Sequence, residues 1–356
     1  MSRILVWLSW GVDSAVASYL LKQQGHEVIV WFMKNYVQED NLNCQTKQDR
    51  DMALQVAQHL WIDTFIIFDF RQQYQEQIID YIHHSYLQGI TPNPDVLCNS
   101  LIKFNLFVQK ALELWCDKIA TGHYARIQED QKWFHLLTGK DKNKDQSYFL
   151  SQLTQHQLSK SSFPLWEMNK KEVRTIAKQI GLPNAERPDS QWLCFIGNIA
   201  IEKFLSKKIA NKTWNVIDTQ GNTVGTHKWA YYYTIGQRHG FQTNFKAYIV
   251  NIDIEQNIIT VTKDKQDPML YTTDFDVQNW HRINEKKIFP HQTKVKIRYR
   301  QTETIPAILS QKISNAKTSI HITLQTPARA VSPGQFAVAY DEDEVIWSWV
   351  IAKTRQ

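Results

Sequence analysis

The chain has 356 residues, 43% of them hydrophobic and 21% charged, and carries a formal net charge of +6. That length predicts two or three domains rather than one core, and the composition excludes a disordered or membrane-embedded chain. The mild basic excess permits a polyanionic partner without demanding one.

In chain order, residues 4–8 read as a strand, 14–24 as a helix and 27–33 as a second strand. Residues 51–60 read as helix, 65–69 as strand, 73–86 and 102–114 as helices, and 118–121 as a fourth strand. Alternation at this spacing predicts βαβ units and a parallel sheet, with ligands beyond the carboxyl ends of its strands. Residues 138–146 read as a polar linker, followed by helical patterns to about residue 181. Beyond residue 215 the texture turns to short strands at 215–218, 247–252, 258–262, 294–299, 319–324 and 336–340. That spacing predicts small barrels or sandwiches. The expected division is a catalytic α/β domain over 1–205, a small β-rich connector over 206–273 and a terminal β-barrel over 274–356. The longest apolar runs fall well short of the roughly 20 residues that span a bilayer. A strand pattern from Ile4 leaves no space for a secretory signal, so a cytoplasmic location is expected.

The four cysteines, Cys44, Cys98, Cys116 and Cys194, include no Cys-x-x-Cys pair, which argues against a zinc ribbon or a disulfide scaffold. The first strand runs into Ser9-Trp10-Gly11-Val12-Asp13-Ser14, which opens a helix. A strand, a tight turn of small residues and a helix N-terminus make an anion site. Ser9 and Ser14 can add hydroxyl donors, and Asp13 can hold the magnesium that accompanies ATP. On spacing alone, a capped strand–turn–helix with no ligand explains the same residues.

This loop resembles the Ser-Gly-Gly-x-Asp-Ser loop of the N-type ATP pyrophosphatases, with a misfit at Trp10. Further blocks are similar to the tRNA-specific 2-thiouridylase family. They are Phe32-Met33-Lys34-Asn35, Thr91-Pro92-Asn93-Pro94-Asp95-Val96-Leu97-Cys98-Asn99, Ile102-Lys103-Phe104 and Ala120-Thr121-Gly122-His123-Tyr124-Ala125-Arg126. Asn143-Lys144-Asp145-Gln146-Ser147-Tyr148-Phe149-Leu150, Cys194-Phe195-Ile196-Gly197 and Tyr232-Tyr233-Thr234-Ile235-Gly236-Gln237-Arg238 continue the series. Arg298-Tyr299-Arg300-Gln301 and Ser332-Pro333-Gly334-Gln335 complete it in the same order.

The resemblance implies an N-type ATP pyrophosphatase catalytic domain and ATP-dependent thiolation of a transfer-RNA uridine. ATP would be held on Trp7, Leu8, Ser9, Trp10, Gly11, Val12, Asp13 and Ser14, with Met33 and Gly122 as further nucleotide contacts. Plain core packing explains Met33 equally. Cys194 would carry a persulfide supplied by a cysteine desulfurase or relay protein, and Cys98 would release its sulfur, leaving a Cys98–Cys194 disulfide. The Pro-Asn-Pro-Asp flank puts Cys98 on a loop, and Asp95 would act as general acid or base, or else as a turn aspartate. Asn93, Pro94 and Asp95 would meet the target base. Lys144, Asp145, Gln146, His123, Arg298, Tyr299 and Gln335 would touch the rest of the tRNA, of the Lys, Glu and Gln acceptors. By spacing alone, Arg298-Tyr299-Arg300 also reads as an exposed strand face. An amide-forming synthetase of the same superfamily, or a non-catalytic tRNA-binding relative blocked by Trp10, are the competing readings.

Tryptophan (13) outnumbers glycine (12). Trp7, Trp10, Trp61, Trp115, Trp166, Trp192, Trp214, Trp229, Trp347 and Trp349 stand where the family pattern has glycine; Trp31 and Trp133 are ambiguous, and Trp280 fits the pattern. Restoring the ten would bring glycine to about 22 residues, close to the ordinary share of about 7%. The expectation is a codon, UGA, read as glycine in the source and rendered as tryptophan in translation. At Trp10 a glycine would supply positive φ and close approach to phosphate; at Trp61 and Trp115 it would stop a helix.

Overall fold

The computed structural model describes residues 1–34, 45–188, 213–284, 291–314 and 317–352. Its first part runs β1 (Arg3–Trp7), α1 (Val12–Gln23), β2 (Glu27–Lys34), α2 (Gln45–His59) and β3 (Phe65–Asp69). Next come α3 (Arg71–Tyr74) and α4 (Asp80–Leu87), joined through a π-helical turn, Gln75–Ile79. Then α5 (Pro94–Leu97) and α6 (Phe107–Glu113) are joined through a π-helical segment, Cys98–Leu106. β4 (Lys118–Ala120), β5 (Ala125–Glu129), β6 (Phe134–Thr138), α7 (Gln155–Ser159), β7 (Ser161–Ser162) and α8 (Lys170–Gln179) follow.

The sheet has the order β3-β2-β1-β4-β7, and every pairing in it is parallel. The inner strands β1 and β2 read as apolar runs and are buried over most of their length, whereas the edge strands β3 and β7 are not. β1 and β4 are neighbours, so their carboxyl ends deliver Ser9–Ser14 and Thr121–Tyr124 to the same edge. Gly122 is fixed there by contact: a Cβ on it would lie 2.7 Å from the Ser14 amide nitrogen.

A second sheet comprises β8 (Trp214–Asp218), β9 (Thr223–His227), β10 (Gln242–Thr243), β11 (Tyr248–Asp253) and β12 (Ile258–Thr262), in the order β10-β9-β8-β12-β11. The last part is β13 (Tyr271–Arg282), β14 (Gln292–Lys296), β15 (Ile305–Ser314), β16 (Lys317–Arg329), β17 (Phe336–Asp341) and β18 (Glu344–Ile351). Pairing of β13 with β18 closes these six strands into a barrel among the described residues. One apolar cluster runs through all three parts, from Leu5 and Tyr148 to Val216, Ile249 and Phe336.

Four departures from the sequence reading matter. β5 and β6 form a hairpin between the fourth strand and residue 138, where the sequence reading assigned no element, and β6 pairs with β18, so the first part extends the barrel's sheet. Residues 138–146 are not a linker: Asp145 is only 5% exposed and its Oδ1 accepts from the Gly139 and Ser147 amides at 3.2 Å. The polar side chains there turn inward onto backbone, which sequence polarity alone does not reveal. The strand expected over 294–299 ends at Lys296, so Arg298-Tyr299-Arg300 lies in a turn and not on a strand face. Cys98 is in the helix that Pro94 starts, not on a loop; Asn93 caps that helix by accepting from the Val96 amide at 3.4 Å.

Positive φ is found at Trp61 (53°) and Trp115 (57°), the helix-stop positions, and at no other described tryptophan. Trp10 does not adopt it, so the conformational half of the glycine argument does not hold at that position. Trp192 lies outside the described residues.

Candidate active site

α1 starts at the loop with Gly11 as N-cap and no side-chain cap, which leaves its first amides for an anion. The two loop hydroxyls are tied to each other: Ser9 and Ser14 Oγ are 3.0 Å apart, the Ser9 amide donates to Ser14 Oγ, and the Gly11 amide donates to Ser9 Oγ. Asp13 accepts from Lys170 Nζ at 2.6 Å and from Tyr124 Oη at 2.8 Å. Its carboxylate is therefore already matched to a cation. No group of three or more His, Cys, Asp or Glu among the described residues is placed to hold a metal ion.

A cavity of about 960 Å³ opens over this loop. Its walls bring together Trp7, Ser9–Ser14, Pro92–Asp95, Gly122, His123, Lys144–Gln146, Tyr299 and Gln335. These include most of the residues singled out in the sequence. A separate depression of about 1040 Å³ beside α8 contains none of the candidate site residues. Four others sit elsewhere. Leu8 and Met33 are core residues and do not line the cavity; the Leu8 amide donates to Trp31 O at 2.9 Å. Cys98 is 3% exposed and packed in the core, and Arg298 lies off the cavity wall. Cys194 and Cys44 lie outside the described residues, and Cys116 is buried, as befits a packing residue.

Gln335 organises the Thr91–Asn93 loop. Its Nε2 donates to Thr91 O and Pro92 O at 3.0 Å each, and its Oε1 accepts from Asn93 Nδ2 at 3.2 Å. The neighbouring helix presents Asp95, Asn99 and Lys103, four residues apart, to the cavity. Burial raises the Asp95 pKa above the usual carboxylate range, and the nearby Lys103 ammonium opposes that rise. Burial first, and Lys103 second, hold His123 well below its ordinary pKa. His123 is thus a neutral ring, with Nδ1 2.7 Å from Thr121 Oγ1 and its face near Phe104. Tyr299 lies over Phe149 with ring centroids 4.2 Å apart, and burial pushes its hydroxyl up to about 12. Lys144 and Gln146 line the cavity, whereas Asp145 spends its oxygens on the loop and on Lys296 Nζ at 3.6 Å.

Sequence reasoning missed three cations here. Lys103 stands over the Trp7 ring at 5.4 Å and couples to both Asp95 and His123; its spacing from Asp95 on one helix face was the available signal. Lys296 arrives from the barrel and Lys170 from α8, and no local signal marks either. Trp10 forms part of the wall, with the Arg187 guanidinium 4.3 Å from its ring centroid and Asn184 Nδ2 donating to its carbonyl at 3.1 Å.

Comparison with known proteins agrees with this layout. Residues 2–198 match the tRNA methyl transferase HUP domain, 202–263 the tRNA methyl transferase PRC-barrel domain, and 272–351 the aminomethyltransferase beta-barrel domain. A solved 4-thiouridine synthetase–RNA complex with bound ATP shares 15% identity at a TM-score of 0.38, covering 55% of this chain and 45% of that one. The chain is 40% identical to the tRNA-specific 2-thiouridylase MnmA 1 of Geobacillus kaustophilus, over 98% of this chain and 95% of that protein. It is also 40% identical to the MnmA of Karelsulcia muelleri, over 98% of both. Identity at that level along nearly the whole length of both partners shows that the chain belongs to the tRNA-specific 2-thiouridylase MnmA family.

Proposed function

We propose that the chain is an ATP-dependent tRNA-uridine 2-sulfurtransferase acting at the wobble position. The observation that carries this reading is that one cavity is walled by both the phosphate loop and Asn93–Asp95. A carbonyl oxygen of uracil is a poor leaving group, so the first task is to convert it into an AMP ester with loss of pyrophosphate. The uncapped N-terminus of α1 suits the nucleotide's phosphates. Magnesium would arrive with those phosphates. Asp95, whose pKa burial raises, would give or take a proton at the uracil ring. His123 stays neutral and can hydrogen-bond or stack without adding charge.

In the second task a persulfide on Cys194 supplies sulfur and AMP departs. Cys98 resolves the persulfide to a disulfide that an external reductant resets. Because Cys98 is buried in the helix, its thiol must become accessible for that exchange. The tRNAs would be the Lys, Glu and Gln acceptors, the sulfur source a cysteine desulfurase or its relay, and the location cytoplasmic. No described helix is long and apolar enough to cross a membrane.

The test is mass spectrometry of tRNA nucleosides from a thiolase-deficient strain complemented with the glycine-restored gene. Appearance of 2-thiouridine derivatives, abolished by Cys194→Ser and by Asp95→Asn, is the expected outcome; their absence with the intact gene would sink the reading. The Trp10 indole in the loop wall favours one alternative, a tRNA-binding relative without ATP chemistry. ATP–pyrophosphate exchange in the presence of tRNA separates the two.

A further inference from the structure

The turn that follows β16 is pressed against both other parts of the chain. A Cβ on Gly334 would lie 2.7 Å from Thr91 O, and one on Gly236 would lie 2.6 Å from the Ala330 Cβ. Ala330 itself takes a left-handed φ of 55° to make this corner. Arg329 ends β16 here, its guanidinium 5.2 Å from the Tyr248 ring centroid. Arg329 Nε and Nη2 are buried and have no hydrogen-bond partner among the described residues. Arg298 comes to the same place and donates through Nη2 to the Arg329 carbonyl. Burial, and then the charge of Arg329, lower the pKa of Arg298 below the ordinary arginine value. Among the described residues no carboxylate pairs with either guanidinium.

The two guanidinium charges oppose each other, and buried donors without an acceptor cost free energy. One anion relieves both. Guanidinium forks match phosphate oxygens in shape, and two of them can grip a single phosphate from different sides. The site adjoins Thr91–Asn93, the loop that Gln335 holds toward the cavity. We propose that Arg329 and Arg298 together clamp one backbone phosphate of the bound tRNA beside the target nucleotide, with Arg329 as the arm that the sequence did not reveal. This inference rests on the tRNA reading above. The clamp would anchor the strand where all three parts of the chain meet, so that the flanking base is drawn into the cavity.

The experiment measures tRNA binding by the full-length chain against salt concentration for the wild type, Arg329→Gln and Arg329→Lys. Loss of one phosphate contact should weaken Arg329→Gln about tenfold near physiological salt and reduce the slope of log K against log salt by about 1. Arg329→Lys should keep the slope. Equal slopes for the wild type and Arg329→Gln would overturn the clamp. So would parallel loss of affinity in both variants at unchanged slope, since that marks a packing role. Free pyrophosphate shares the phosphate chemistry. If it protects the wild type but not Arg329→Gln from unfolding while the tRNA slopes coincide, the site belongs to the free anion and the RNA assignment falls. If the wild type binds no tRNA at all, the tRNA reading itself fails and takes the clamp with it.

Discussion

Two regions carry tryptophan where glycine is expected, and they differ in what the substitution obstructs. At the ends of α2 and α6, Trp61 and Trp115 occupy left-handed φ and are 83% and 85% exposed. Each completes a Schellman closure: Ile62 N–H to Ala57 O at 3.0 Å, and Cys116 N–H to Ala111 O at 2.9 Å. The same closure recurs with true glycines, at Gly25 (φ 79°), Gly89 (69°) and Gly181 (68°). Five helix ends therefore share one geometry, and two of them carry a bulky residue ill suited to it. In the phosphate loop Trp10 has ordinary backbone but puts an indole into the cavity wall. Strain is the issue at the helix ends and bulk at the loop.

The barrel adds a third variant of the anomaly. Trp349 is fully buried, and its indole N–H has no hydrogen-bond partner among the described residues. A strand glycine would leave no such donor to bury.

The largest test of the contrast is Trp10→Gly. If bulk at the loop blocks nucleotide, ATP–pyrophosphate exchange should rise by about 100-fold or more, the scale on which misplaced reactants lose rate. Trp10→Ala should recover most of the gain, because the backbone there does not need positive φ. Recovery by glycine alone would mean that the loop changes conformation on binding, and the contrast would break.

Next in size is the double change Trp61→Gly with Trp115→Gly. Relief of two left-handed non-glycine residues should add about 2 kcal/mol and raise the melting temperature by about 3 °C. Exchange activity should not move, since neither residue lines the cavity. Calorimetry showing no gain would mean that the two tryptophans are tolerated native residues.

The difference between strain and bulk also marks how far the sequence could be read. Helix stops and the phosphate loop are local, so a strand, a small-residue turn and a polar cap in succession suffice to find them. β1 to β4 were legible because short apolar runs alternate with helical patterns there, whereas β7 was not, since Ser161–Ser162 has no apolar residue. The β5–β6 hairpin was not, because its partner β18 lies far along the chain and its turn residues look like any polar loop. The contact between Asn93 and Gln335 spans 242 positions, and the Arg298–Arg329 contact joins a turn to a strand end. Neither leaves a periodic trace. Lys103 was within reach, since polar residues recur at 95, 99 and 103 on one helix face.

A smaller effect runs in the opposite direction. Gly181 closes α8 as Trp61 closes α2, with Leu182 N–H to Ala177 O at 2.9 Å. Gly181→Ala should cost about 1 kcal/mol in a denaturant titration, because a Cβ is strained at that φ.

The smallest expected change is Trp61→Ala. A Cβ is already present in the left-handed position, so alanine relieves nothing and stability should stay within about 0.5 kcal/mol. The pair Trp61→Ala and Trp61→Gly therefore isolates backbone freedom from loss of the indole, which is mostly solvent-exposed and contributes little by packing. If alanine stabilised the chain as much as glycine, the exposed ring itself would be the liability and φ would be irrelevant. If glycine alone gained, position 61 would be a site built for glycine, as the three true glycine caps already are.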